Sequence, residues 1–274
     1  MENNFLTISE INIYPVKSLG GISLNESKVE KRGLQFDRRW LLVDKENMFI
    51  TQREINELCL FKINFTNEGF IISNDKASED LIIPFGIDTG EKSEVTIWDD
   101  TCEAIHYSDG ANKWFADIVN YDCRLVYMPD TTLREANKDF AIADDIVSFA
   151  DGYPILIIGQ SSLDNYNNIS GNNFKMNRFR PNLVFTGGEA HVEDTLRKFN
   201  INGTDFYGVK TCGRCVITTI EQETAVSGKE PLKTLAEYRT VNNSIKFGMN
   251  VIPGPLSENS IVRIGDEINV METI

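Results

Sequence analysis

Short runs of alternating apolar and polar residues, broken by Gly, Asn, Asp and Pro, dominate the first half of the chain, a pattern that predicts strands rather than helices. Ile8–Tyr14 alternates and stops at Pro15, predicting a strand followed by the Gly-ended loop Val16–Gly21. Three hairpins follow by pattern: Trp40–Asp44 with Met48–Gln52 across Lys45-Glu46-Asn47, Leu60–Phe65 with Phe70–Ser73 across Asn67-Glu68-Gly69, and Glu94–Trp98 with Thr101–Tyr107 across Asp99-Asp100. Strands this short, with turns this close, predict a small sandwich or barrel. The period changes once, at Ala111–Val119, where Trp114, Phe115 and Ile118 recur at helical spacing. Arg124–Met128 returns to strand.

Asp130–Asp145 is polar and acidic without a period, and is expected to be a linker or mobile lid dividing a domain 1–128 from a domain 129–274. Beyond it, Pro154–Gly159 is a buried-strand run that enters Gln160-Ser161-Ser162-Leu163-Asp164, where a serine can cap a helix. A strand feeding a helix N-terminus offers backbone N–H groups and the helix dipole to an anion. In Asn177–Asn182, Pro181 keeps Arg180 out of helical geometry, so Arg178 and Arg180 are expected on one face of an extended segment. Leu183–Thr186 reads as a strand, Glu189–Phe199 as a short helix, and Phe206–Lys210 and the β-branched Val216–Ile220 as strands. Pro231–Arg239 reads as a helix with proline in its first turn, and Ile261–Ile264 and Glu267–Met271 close the chain as β-structure. The expected class is mainly β (α+β), beginning with a β-barrel-like domain.

Composition narrows the function. With 274 residues, 41% hydrophobic and 25% charged, the chain has room for one large or two small globular domains. No apolar run approaches the roughly 18 residues of a membrane helix, and the start MENNFLTISE lacks a secretory pattern, so a cytoplasmic protein with no membrane partner is expected. A net charge of −14 argues against nucleic acid as a stable partner. Five cysteines are odd in number and sparse for this length, unlike a disulfide framework, and with two histidines and no second C-x-x-C a four-ligand zinc site would need distant cysteines to converge. Candidate chemistry therefore concentrates at Cys212-Gly213-Arg214-Cys215. Gly213 permits a tight turn, and Arg214 sets a cation beside two thiols, favouring the thiolate that binds soft metals or does redox work. A thioredoxin-like site would open a helix, whereas a strand is expected to follow here. Lys17 and Ser18 add an ammonium and a hydroxyl at a strand end. Asp99-Asp100 and Asp144-Asp145 read as solvated faces, His106 and His191 as structural or surface residues, and Trp40 and Trp98 as core aromatics.

Six motifs occur in a telling order: Pro15-Val16-Lys17-Ser18, Asp37-Arg38-Arg39-Trp40, Thr51-Gln52-Arg53, Arg178-Phe179-Arg180-Pro181-Asn182, Cys212-Gly213-Arg214-Cys215 with Val216-Ile217-Thr218-Thr219, and Pro231 to Arg239. Together they resemble the MOSC superfamily, in the two-domain branch that includes the mitochondrial amidoxime-reducing component and its bacterial relatives. The resemblance implies an N-terminal β-barrel domain over Ile8–Met128 and a β-barrel MOSC domain with a few short helices over the remainder. It also implies a molybdenum cofactor (Mo-molybdopterin), with Cys215 as the metal ligand and the catalytic centre; Cys212 is a family position but not the expected ligand. The implied cofactor contacts are Lys17, Ser18, Arg38, Ser161 or Ser162, Arg180, Gly213 and Arg214. A dithiolene-bound metal takes a soft thiolate and a phosphate takes Arg and Lys, so the residue chemistry agrees. Pyridoxal phosphate is not expected. The implied activity is reduction of N-hydroxylated compounds, such as amidoximes and hydroxylaminopurines. Without a C-x4-C-x2-C iron–sulfur pattern in the chain, electrons would come from a separate ferredoxin or flavoprotein. The alternative is a cofactor carrier or sulfur-transfer protein, with a persulfide on Cys215 or Cys212; a bland third reading is a β-rich domain whose C-x-x-C is a redox or half-zinc site.

Overall fold

A computed structural model describes residues 5–86, 88–138 and 144–273. Its largest feature is a closed barrel of seven strands. The order around the barrel is Ile155–Gly159, Leu183–Thr186, Leu6–Ile13, Glu267–Thr273, Leu196–Ile201, Thr204–Gly213 and Ser244–Pro253, which pairs again with Ile155–Gly159. Only the Ile155–Gly159/Leu183–Thr186 pair is parallel among these neighbours. Alternation makes the interior: Ile11, Ile13, Ile157, Phe185, Phe199, Phe206 and Val251 are among its buried residues, and Phe199 and Phe206 stack with centroids 5.6 Å apart. Gly208 sits where the register shifts between Thr204–Gly213 and Ser244–Pro253, and a Cβ there would lie 1.9 Å from the Leu196 carbonyl. Only glycine fits that approach.

The first half builds a second core. Trp40–Val43, Arg124–Tyr127, Asp100–His106 and Lys92–Ile97 form one antiparallel sheet, and Lys62–Thr66, Gly69–Ser73 and Leu81–Pro84 form a meander beside it. Trp40, Phe61, Phe70 and Phe115 fill the space between. The helix Asp109–Val119 closes this core with Phe115 fully buried, and Ser108 caps it by accepting from the Ala111 N–H at 3.1 Å. The chain does not keep its halves apart, however. Leu6–Ile13 lies in the barrel, between Leu183–Thr186 and Glu267–Thr273, so a division at residue 128 leaves that strand in the sheet of the other half.

Several local expectations are corrected. Met48–Gln52 is not a hairpin strand: single bridges tie Phe49 to Val43 and Met48 to Thr96, because Asp44 Oδ1 accepts from the N–H groups of Glu46 and Met48 and curls the chain. Glu189–Phe199 is a 3-10 turn, Val192–Thr195, followed by the barrel strand Leu196–Ile201; ladder partners on both sides outweigh its helical spacing. In the described part of Asp130–Asp145, Arg134–Glu135 pairs with Ile146–Val147, so this part is no free linker; residues 139–143 of that expectation lie outside the described residues. Arg134 is buried and donates to the carbonyls of Ser148, Ala150 and Asp151 at 3.0, 2.5 and 2.9 Å and to Asp100 at 2.8 Å. That one guanidinium shapes the 148–151 loop. Among the described residues no helix is long and apolar enough to cross a membrane.

Candidate functional site

Where the strand Leu6–Ile13 runs out, the chain turns through Pro15 into Lys17 and Ser18, and these meet loops from both halves in a cleft. Its walls carry Lys17, Ser18, Arg38 and Arg53 from the first half, and Asp151, Arg180, Cys212, Gly213, Arg214 and Cys215 from the second. Five cations thus face one carboxylate in a chain whose net charge is −14. Ser18, Arg38 and Arg180 have φ of +70°, +51° and +54°, left-handed values that side chains adopt at a cost and that cluster at functional sites.

Each charge has a defined support. Arg38 and Arg180 lie over the buried ring of Tyr14, at 4.6 and 4.1 Å from its centroid. Burial pushes the Tyr14 phenol up to about 12 against the pull of the two guanidiniums, so it stays neutral, and its hydroxyl donates to the Pro181 carbonyl at 3.2 Å. Arg38 pairs with buried Asp37 and donates to Asn182 Oδ1 at 3.3 Å; Asn182 in turn holds Asn12 and Leu156. Lys17 is buried and donates to the Phe149 carbonyl at 2.8 Å and to Asp151 at 2.6 Å. Burial pushes Lys17 down, with Asp151 opposing. For Asp151, desolvation works to raise the carboxyl, but Lys17, the Trp98 N–H and Arg53 hold it well below the usual carboxylate range. Two buried donors, Arg180 Nη2 and Arg214 Nε, have no hydrogen-bond partner among the described residues. Such groups are costly unless a ligand takes them up.

The sulfur site differs from its sequence picture. Val216–Thr219 is a 3-10 turn rather than a strand, since Thr218 and Thr219 donate their hydroxyls back to the carbonyls of Cys215 and Val216 at 2.9 and 2.7 Å. Arg214 serves Cys212, with Nη1 3.2 Å from its sulfur, and spends Nη2 on the Phe179 carbonyl at 2.6 Å. The cation on Cys215 comes from the other half: Arg53 Nη2 stands 3.2 Å from Cys215 Sγ. Gly213 leaves room for the turn, because a Cβ there would meet Ser244 Oγ at 2.8 Å.

Of the site residues expected from the sequence, the cleft gathers Lys17, Ser18, Arg38, Arg180, Gly213, Arg214 and Cys215. Ser161 and Ser162 are elsewhere. The helix Gln160–Ser170 starts after Gly159 with no side-chain cap, Ser161 donates to the Glu189 carbonyl at 3.2 Å, and Ser162 donates to Glu193 at 2.8 Å while accepting from the His191 N–H at 2.7 Å. Arg178 also parts from Arg180: Met176–Phe179 is a 3-10 turn, and Arg178 points to Glu221 and the Thr219 carbonyl. Sequence reasoning missed Tyr14, Arg53, Asp151 and Asn182. Arg53 was in view within Thr51-Gln52-Arg53, but Asp151 carries no local signal. Trp98 is no core aromatic, being 45% exposed with its indole N–H on Asp151 at 3.1 Å.

The Ser162 neighbourhood gives a pH prediction. Burial pushes Glu193 up from 4.5 to about 7, so the folded chain holds a proton there that the unfolded chain has lost, and this stability fades as pH rises from 4.5 through 7. Burial, then Arg239, pushes His191 down from 6.5 to about 4, and its contribution runs the other way: stability is lost as pH falls from 6.5 through 4. Glu193→Gln is expected to be roughly 2–3 kcal/mol more stable than wild type at pH 8. Urea melts across pH 4–8 should show the variant gaining stability as pH rises to 6.5 and then holding it; a variant that tracks wild type at every pH would discard the assignment.

Residues 5–122 match the MOSC N-terminal beta barrel domain, and residues 144–269 match the MOSC domain. The mitochondrial amidoxime reducing component 2 of Bos taurus is 30% identical over 250 residues, 88% of this chain and 74% of that protein. The chain belongs to the MOSC superfamily. Component 1 of Homo sapiens is 27% identical over 281 residues, 97% of this MOSC chain and 83% of the relative. The molybdenum cofactor sulfurase of Solanum lycopersicum is 27% identical across 97% of this chain, but the match spans 35% of the sulfurase. The function of this MOSC protein is accordingly tied to the molybdenum cofactor. Its cleft fits that group. Two half-buried thiols, Cys212 and Cys215, line it, and a thiolate is the soft donor such a metal takes. The unspent N–H groups of Arg180 and Arg214 suit the anionic part of such a ligand.

Proposed function

We propose that this MOSC protein holds the molybdenum cofactor in the cleft and reduces N-hydroxylated compounds, amidoximes and hydroxylaminopurines among them. One observation carries the reading: a half-buried thiol, Cys215, opens on a wall of five cations, two of which keep buried donors unspent. Cys215 would supply the protein's ligand. Arg180, Arg214, Arg38 and Lys17 would hold the phosphate and pterin, with the guanidiniums giving charge-assisted, paired hydrogen bonds. Their supports limit rearrangement, since Tyr14, Asp37 and Phe149 already fix Arg38, Arg180 and Lys17. When bound, the cofactor supplies the two-electron chemistry that, with two protons, converts an N–OH group to N–H and water. The electrons would come from a separate ferredoxin or flavoprotein.

The test is metal analysis and pterin fluorescence on protein from a cofactor-competent host, followed by amidoxime reduction with a reduced viologen dye. Stoichiometric molybdenum and conversion of an aryl amidoxime to its amidine are expected. Bound cofactor without turnover would replace the reductase by a carrier, and absence of both metal and pterin would defeat the cofactor assignment.

A further inference from the structure

Thr51-Gln52-Arg53 belongs to no regular element, yet it is firmly held. Gln52 is fully buried; its amide donates to the Ser18 carbonyl at 2.6 Å and its carbonyl accepts from Gln222 at 3.1 Å, which ties the segment to both halves. Thr51 donates to Glu54 through its N–H and hydroxyl at 2.9 and 2.6 Å, and the Arg53 N–H donates to Thr51 Oγ1 at 3.1 Å. From this anchor the Arg53 guanidinium lies 4.6 Å over the Trp98 ring and reaches Cys215 Sγ at 3.2 Å. Trp98 is itself fixed, packed on Phe49 at 5.0 Å and donating to Asp151, which pairs with Lys17. A half-exposed tryptophan with such a set of partners is a platform rather than a core side chain.

We propose that Arg53 is a positioning residue for the Cys215 sulfur: held over the Trp98 ring, it donates the N–H···S hydrogen bond that aims the sulfur into the cleft and moderates its donation to a bound metal. The contact to a thiol stands by itself; its role toward a metal rests on the function proposed above. An N–H···S bond that holds the sulfur toward the cleft also sets how it is presented to a small electrophile entering there. Hydrogen bonds to a ligating sulfur draw electron density from it, and metal potentials respond to them. With Arg53 in place a bound metal would therefore be easier to reduce. Cys212 has its own cation, Arg214, and provides an internal control.

The decisive experiment starts with cofactor-free protein. Iodoacetamide alkylation at neutral pH is followed by peptide mass spectrometry, reading Cys212 and Cys215 separately. Arg53→Met is expected to slow Cys215 several-fold and leave Cys212 unchanged, with Arg53→Lys between Arg53→Met and wild type. Trp98→Leu, which keeps the guanidinium but removes its platform, should slow Cys215 by a smaller factor, and it carries the test should Arg53→Met not fold. An unchanged Cys215 rate in the folded variant overturns the proposal. In loaded protein, Arg53→Met should shift the Mo(V) spin-resonance signal and lower the molybdenum midpoint potential; an unshifted potential removes the metal-tuning role. Wild-type protein that takes up no molybdenum would defeat the function proposed above while leaving the alkylation result to decide the contact.

Discussion

Cys215→Ala is expected to abolish amidoxime reduction and to cut molybdenum and pterin content together, since the Cys215 thiolate would be the protein's own bond to the cofactor's metal. The fold should be nearly untouched. Cys215 is half-buried, and its sulfur contacts Arg53 rather than a packed core. Truncation at such a site costs stability on the order of 0.5 kcal/mol. Cys212→Ala should behave otherwise: its side chain packs against the cluster of Leu156, Phe179 and Phe247, so stability falls slightly while metal remains. Elemental analysis, pterin fluorescence and a melting curve on the two variants separate these outcomes. Wild-type turnover and metal content in Cys215→Ala would remove that sulfur as the ligand.

Arg134→Met should be strongly destabilising although it lies away from the cleft lining. The guanidinium satisfies three carbonyls of the 148–151 loop and pairs with Asp100, and its side chain is 3% exposed. Methionine fills the volume but donates nothing. Each buried carbonyl left unpaired costs about 1–3 kcal/mol, so a loss of roughly 3–5 kcal/mol is expected. In a chain of this size that lowers the melting temperature by about 10 °C. Function should suffer too, because Phe149 and Asp151 in that loop hold Lys17. Arg134→Lys should recover only part of the loss, as one ammonium cannot span the same carbonyls. Calorimetry on the two variants checks this; a wild-type melting temperature in Arg134→Met would show the loop to be organised by something else.

The contrast between these residues shows what the sequence made legible. Elements whose turns are local were readable: Lys62–Thr66 and Gly69–Ser73 lie where alternation and Asn67-Glu68-Gly69 put them. Elements decided by distant partners were not. Leu196–Ile201 has helical spacing, but neighbours on both sides make it a strand. The cations of the cleft were visible because they sit in short motifs. Asp151 was invisible because its meaning comes from Lys17, 134 residues earlier in the chain. Ser161 and Ser162 show a similar dependence on distant partners: a helix start can accept an anion, but here Glu189, His191 and Glu193 engage those hydroxyls, and the two serines lie outside the cleft.

The place of Leu6–Ile13 in the barrel bears on how the chain is made. Both of its barrel neighbours, Leu183–Thr186 and Glu267–Thr273, come far later in the sequence. At roughly 5–20 residues per second, a ribosome needs on the order of 10–50 s between the first strand and its last partner. Until Leu183–Thr186 is made, an apolar strand has its short local partner Ile22–Leu24 along one part of an edge and nothing on the other. Chaperone demand during synthesis should therefore centre on the N-terminal strand, and a stalled chain that stops short of residue 267 should be a substrate for degradation rather than a half-finished barrel.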